Sequence, residues 1–146
     1  MDEEVASADA ASGKACFTFM IPLEKSMKTV LVADDIATSR ELIRTVLEQC
    51  GHTVLEASDG AEAVRFALEI LPDLIVLDLH MPTLDGFGVL QKLRGDEKFT
   101  RTPIVALTAS AMQGDRERAL SAGFTSYIAK PISLNALRSE MERLLA

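Results

Sequence analysis

From Lys28 onward, short apolar runs alternate with amphipathic stretches. Thr29-Val30-Leu31-Val32-Ala33 is short, β-branched and continuously apolar, as a strand covered on both faces should be. Thr38-Ser39-Arg40-Glu41 then fits a capping box. The helix it predicts carries Leu42, Ile43, Val46, Leu47 and Cys50 at helical spacing, and Gly51 is its stop. Thr53–Ala57 reads as the second strand. Asp59-Gly60 opens a second helix, with Val64, Ala67, Leu68 and Leu71 on its apolar face and Pro72 at its end. Leu74-Ile75-Val76-Leu77 is the most apolar strand and runs into Asp78. After the turn residues Met81-Pro82 and Asp85-Gly86, Phe87, Val89, Leu90 and Leu93 mark a third helix, followed by a polar loop over 95–101. A fourth strand is predicted over 103–107, a weakly apolar helix over 112–122 and a fifth strand over 125–129. Ser133 caps a last helix with Leu134, Leu137, Met141, Leu144 and Leu145 on one face. Five strands alternating with five helices imply a parallel sheet, right-handed crossovers and helices on both faces. The last helix ends with the chain, so no output domain is expected after it.

Residues 1–26 break this pattern. They are rich in Ala, Ser and acidic residues up to Lys14, then carry the apolar stretch Cys16-Phe17-Thr18-Phe19-Met20-Ile21, closed by Pro22. No helical period runs through them. They are read as a flexible extension ahead of a folded unit over 27–146, with packing on the domain or on a partner as the other reading.

Composition narrows the function classes. Of 146 residues, 48% are apolar, enough for a packed core. With 22 acidic against 15 basic residues and a formal charge of −7, the chain lacks the basic footprint of nucleic-acid binding. Cys16 and Cys50 have neither metal-site spacing nor a disulfide framework and are read as reduced thiols. No apolar run approaches a membrane span, and Asp2, Glu3 and Glu4 are unlike the basic start of a secretory signal. A cytoplasmic protein that binds neither membrane nor nucleic acid is expected.

In an open α/β sheet, ligands bind beyond the carboxyl ends of the strands. Asp34-Asp35 ends the first strand, Asp78 the third, Thr108 the fourth, and Lys130-Pro131 the fifth. Clustered carboxylates repel one another, and a hard divalent cation relieves this with oxygen ligands. Mg²⁺ suits such a set because it keeps several waters and accepts phosphate oxygens. A carboxylate beside it can act as a nucleophile and form an aspartyl-phosphate. Lys130 offers a fixed positive charge and Thr108 a hydroxyl for a phosphoryl oxygen. His52, at the start of the second strand, is read as structural.

Over residues 28–146 the sequence resembles the CheY-like receiver family of two-component signalling. The matching residues are Asp34-Asp35, Asp78 with Met81-Pro82 and Asp85-Gly86, Leu107-Thr108-Ala109, and Lys130-Pro131. Their separations match as well: 43 residues from Asp35 to Asp78, 30 more to Thr108 and 22 more to Lys130. The resemblance implies a flavodoxin-like (βα)5 doubly wound sheet with strand order 2-1-3-4-5. It implies that Asp78 accepts a phosphoryl group from a histidine kinase or histidine phosphotransfer protein. Asp35 and Asp78 would bind Mg²⁺ directly with the backbone carbonyl of His80, and Asp34 through water. Thr108 and Lys130 would contact the phosphoryl group, and Tyr127 would be the aromatic switch residue. His80 and Ser110 would flank the group and tune its lifetime. The segment 108–123 is similar to both stand-alone cell-cycle or phosphorelay receivers and hybrid-kinase receivers. The chain is expected to be a switch with self-catalysed transfer and autodephosphorylation rather than a turnover enzyme. Its output would be binding of a downstream protein or onward transfer, with a possible dimer through the last two helices and strand five.

Three other readings fit less well. A haloacid-dehalogenase-type phosphatase would need an acid where His80 stands, and room for cap elements. A nucleotide-binding flavodoxin-like module would need a glycine-rich loop where Asp34-Asp35-Ile36-Ala37 lies. A receiver-like interaction module without phosphorylation is disfavoured by the full acid set.

Overall fold

A computed structural model describes residues 28–109 and 113–145. Ser110, Met112, Cys16 and the predicted extension over 1–26 lie outside the described residues. Strands β1 (Thr29–Ala33), β2 (Thr53–Ala57), β3 (Leu74–Asp78), β4 (Ile104–Thr108) and β5 (Ser126–Ala129) form one parallel sheet in the order β2-β1-β3-β4-β5. They alternate with helices α1 (Ala37–Gln49), α2 (Gly60–Ile70), α3 (Gly86–Arg94), α4 (Gln113–Ala122) and α5 (Leu134–Leu145). The architecture is the expected doubly wound flavodoxin-like one.

Side-chain alternation divides the core in two. Leu31 and Ala33 of β1, with Ile75 and Leu77 of β3, pack against Ala63 and Ala67 of α2, Val89, Leu90 and Leu93 of α3, and Ala119 of α4. Val30, Val32, Leu74 and Val76 face the opposite way, onto Ile43, Val46 and Leu47 of α1 and Leu137, Met141 and Leu145 of α5. Strands covered on both faces have no polar side to solvate, which is why β3 and β4 read as unbroken apolar runs.

The helix ends depart from the sequence reading in several places. The capping box at Thr38 does not form. The Asp34 carboxylate instead accepts the Ile36 amide at 2.9 Å, so the chain turns early and α1 starts with Ile36 at its N-cap. The Asp59 carboxylate does cap α2, accepting the Glu62 amide at 2.8 Å, and Glu62 accepts the Ser58 amide in return. Gly51 ends α1 with φ +92°, which its missing side chain permits.

Leu68 and Leu71, expected on the buried face of α2, are about half exposed. Ala63 and Ala67 make the buried contact, and their small size brings the helix close to the sheet. Leu71 sits in the left-handed conformation that ends α2 ahead of Pro72. Leu134 is also half exposed, one turn before the buried stripe of α5 begins at Leu137. The loop over 95–101 is not wholly polar: a short 3-10 turn, Glu97–Phe99, drives Phe99 into the core. Arg94 holds that turn, donating to the carbonyls of Phe99 (2.6 Å), Thr102 (2.9 Å) and Gly123 (3.2 Å). Burial lowers the pKa of this guanidinium.

Two outcomes are expected. Phe99→Ala should cost about 3–5 kcal/mol, because a buried aromatic ring leaves a cavity; urea unfolding reads this directly. His52 is structural, as expected: its Nδ1 accepts the Lys28 amide at 3.2 Å. Burial, then Lys28, lowers its pKa below 6.5, against an opposing effect of Asp73. The unfolded chain then binds more protons at this site, so stability present above pH 6.5 falls as pH drops from 6.5 toward the folded pKa. His52→Asn keeps an acceptor but no titration, so its melting temperature should fall less than wild type between about pH 7.5 and about pH 5.5.

Candidate functional site

The carboxyl edge of the sheet gathers the residues that the sequence singled out. Asp34, Asp78 and Thr108 are buried, whereas Asp35 and His80 are exposed. Carboxylate oxygens of Asp34, Asp35 and Asp78 all lie within 4.8 Å of one another. The Lys130 ammonium reaches over from the end of β5 to 2.8 Å from Asp34 Oδ2 and 3.2 Å from Asp78 Oδ2. The Lys130–Pro131 peptide bond is cis.

Backbone bonds fix this arrangement. The Asp34 amide donates to the Ala57 carbonyl at 3.1 Å, the Leu79 amide to Leu107 at 2.9 Å, and the Lys130 amide to Thr108 at 2.7 Å. The Asp78 carboxylate accepts the His80 amide at 3.1 Å. Tyr127 is half-buried on β5, in register with Ala106 and therefore two residues down from the Thr108 rung.

The electrostatics follow from burial. Desolvation pushes the Asp78 carboxyl above the usual carboxylate range, and neighbouring Asp34 adds to this; the His80 amide and Lys130 oppose it. Burial alone would lower the Lys130 pKa, but Asp34 and Asp78 outweigh it and hold the ammonium above the ordinary lysine value.

The donor set fits a divalent cation. Three carboxylates against one ammonium leave two negative charges uncompensated when all are ionised. Asp34 Oδ2 is buried, and its neighbour is the single Lys130 ammonium at 2.8 Å, which it shares with Asp78. A hard cation with oxygen ligands answers this excess charge.

Three contributors were not picked out as site residues by the sequence reading. Arg40 of α1 donates to the Asp34 carbonyl at 2.7 Å while its Nε holds Glu56 on β2 at 3.0 Å. Gly86 lies against the strand end itself: a Cβ there would stand 2.6 Å from the Asp78 carbonyl oxygen and 2.9 Å from Leu79 Cα. Gly60 lets α2 approach the β3–α3 loop, where a Cβ would meet the Leu84 carbonyl oxygen at 1.8 Å. Asp85-Gly86 was visible as a turn pair, but a pair of turn residues does not reveal what the glycine packs against.

Comparison with known proteins agrees with this geometry. Residues 30–142 match the family described as the response regulator receiver domain. The chain is 39% identical over 125 residues to a probable transcriptional regulator, ycf27, of Guillardia theta, an alignment covering 86% of this chain and 48% of that protein. It thus spans about half the length of that relative. It is 37% identical over 107 residues to the polar-differentiation response regulator DivK of Brucella ovis, covering 73% of this chain and 87% of that one. The receiver domain of the sensor histidine kinase PA1611 from Pseudomonas aeruginosa PAO1, solved with a magnesium ion coordinated in its active site cleft, matches with a TM-score of 0.75. That pair is 36% identical and covers 82% of this chain and 98% of the other. This chain belongs to the response regulator receiver family of two-component signalling. No helix among the described residues is long and apolar enough to cross a membrane.

Gly86→Ala is expected to lower stability by about 1–3 kcal/mol, because the new methyl group meets backbone rather than a movable side chain. At Gly88 the nearest atoms a methyl group would meet are side-chain ones, Leu84 at 2.5 Å and Asp85 at 3.5 Å, so Gly88→Ala should cost less. Urea unfolding of the two variants side by side makes the comparison.

Proposed function

We propose that Asp78 accepts a phosphoryl group from a phosphohistidine on a histidine kinase or histidine phosphotransfer protein. The observation that carries this reading is the Asp78 carboxylate at the carboxyl edge of β3, 3.2 Å from the Lys130 ammonium and clustered with Asp34 and Asp35. A carboxylate oxygen of Asp78 forms the new O–P bond as the P–N bond breaks, and the imidazole nitrogen leaves with the electron pair. Lys130, already drawn to this carboxylate, offsets charge on the transferred group. The Thr108 hydroxyl, at the end of the adjacent strand, donates to a phosphoryl oxygen. Asp34, Asp35, Asp78 and the His80 carbonyl would hold Mg²⁺. When bound, Mg²⁺ neutralises carboxylate and phosphoryl oxygens that would otherwise repel one another. The chain's own residues catalyse this transfer and the later hydrolysis, so the protein is a switch rather than a turnover enzyme, and exposed His80 tunes water access to the acyl phosphate.

The output is a change in partner binding or onward transfer. Thr108, drawn to the phosphoryl group, frees space toward β5 that half-buried Tyr127 enters. Helix α4 suits the moving part, since Ala119 is its buried apolar residue among the described side chains. The partner is a downstream protein, and a dimer through α4, β5 and α5 is a second use of the same face. The free thiol of Cys50 suits a cytoplasmic setting.

Incubation with a small-molecule phosphodonor and Mg²⁺, followed by intact mass, tests the reading. Wild type is expected to gain one phosphoryl group, about 80 Da, the scale of the modification itself. The gain should require Mg²⁺ and vanish in Asp78→Asn. A wild type that stays unmodified even with a phosphorylated histidine donor would overturn the proposal.

A further inference from the structure

Asp35 is the exposed member of the acid cluster, with a carboxylate oxygen within 4.8 Å of those of buried Asp34 and Asp78. An exposed side chain depends on its backbone for its aim. Both peptide groups that flank Asp35 are held. The one after it is fixed by the Ile36 amide, which donates to Asp34 Oδ1 at 2.9 Å. The one before it is fixed by Arg40, whose Nη1 donates to the Asp34 carbonyl at 2.7 Å. Peptide units are planar, so holding the polar atom of each flanking plane restricts both backbone dihedrals of Asp35.

Arg40 is itself braced. It stands in the first turn of α1, and its Nε donates to Glu56 Oε1 of β2 at 3.0 Å. Arg44, one turn further along the same helix face, pairs with the other Glu56 oxygen. A guanidinium is a planar fork, so seating Nε on Glu56 sets the direction in which Nη1 points. The next residue of β2, Ala57, accepts the Asp34 amide at 3.1 Å. The end of β2 therefore holds Asp34 twice, directly at its amide and through Arg40 at its carbonyl.

Given that the three acids hold Mg²⁺ as proposed above, we propose that Arg40 is a positioning residue for that ion. Seated on Glu56, it locks the peptide ahead of Asp35 and keeps the Asp35 carboxylate beside those of Asp34 and Asp78. An effect of Arg40 through charge alone would have the opposite sign. A cation near the acids opposes a divalent ion, so removing it would tighten binding. Removing a group that orients a metal ligand loosens binding.

Titration of the unphosphorylated full-length chain with Mg²⁺, followed by amide shifts in two-dimensional NMR, separates the two, and the spread of the spectrum reports the fold. In Arg40→Gln the dissociation constant is expected to rise about tenfold, the low end for groups that support metal ligands. Arg40→Lys keeps the charge without the fork, and a rise of about the same size is expected. Arg44→Gln removes an equal charge one turn away and leaves both Arg40 contacts, so its constant should change by less than about twofold. If Arg40→Gln does not fold, Arg40→Lys decides. Unchanged or tighter binding in either Arg40 variant overturns the proposal, as does an equal loss in Arg44→Gln. A wild type that binds no Mg²⁺ overturns the metal site as well, whereas equal binding by wild type and both Arg40 variants overturns the role of Arg40 alone.

Discussion

The Lys130 ammonium, 2.8 Å from Asp34 and 3.2 Å from Asp78, is the contact on which the carboxyl edge of the sheet depends. It gives two buried carboxylates a counter-charge where water cannot. Without a partner, a buried carboxylate would take up a proton or force the strand end open. The position of the ammonium is itself set by the last rung between β4 and β5, where the Lys130 amide meets the Thr108 carbonyl. A slip of one residue in β5 would reverse its side chains and carry Lys130 away from both acids. Register, charge balance and chemistry are therefore one constraint.

The remainder of the fold brings backbone close enough for that constraint to act. Gly86 lets α3 begin against the Asp78 carbonyl, and Gly60 lets α2 begin against the loop that follows. Ala63 and Ala67 draw α2 onto the sheet. At the far end of α3, Arg94 binds carbonyls from the 3-10 turn and from the α4–β5 connection, linking segments that are distant in sequence. Helix α4, with Ala119 as its buried anchor, stands apart from α1 and α5, which each bury a stripe of large apolar side chains. Anchoring is thus firm around the acids and light at α4, where Ala119 is the buried apolar residue among the described side chains.

Much of this was legible in the chain. β1 and β2 match their predicted bounds, and β3 needs only Asp78 added. Each was marked by a short apolar run, and burial on both faces leaves such a run no alternative pattern. The acids and Lys130 were legible for a related reason: in a parallel sheet every strand points the same way, so residues that end the strands must share one edge. Helix faces were read less well. Leu68, Leu71 and Leu134 occupy apolar positions on a helical wheel but lie where the wheel meets no sheet. Phe99 was hidden in a polar loop because one residue carries no period. The capping box at Thr38 lost to Asp34, whose carboxylate reaches the Ile36 amide first.

The sequence alone determined the alternation of strands and helices, the parallel sheet that alternation implies, and the set of polar residues at its carboxyl edge. Those follow from local periodicity and from the common direction of the strands. Only the tertiary structure decided which acids are buried, with Asp34 inside and Asp35 exposed. It also decided that Lys130 spans Asp34 and Asp78, that Arg40 holds the Asp34 carbonyl, and that Gly86 must be small. Each of these depends on distances between residues far apart in the chain, which packing sets and local pattern does not record.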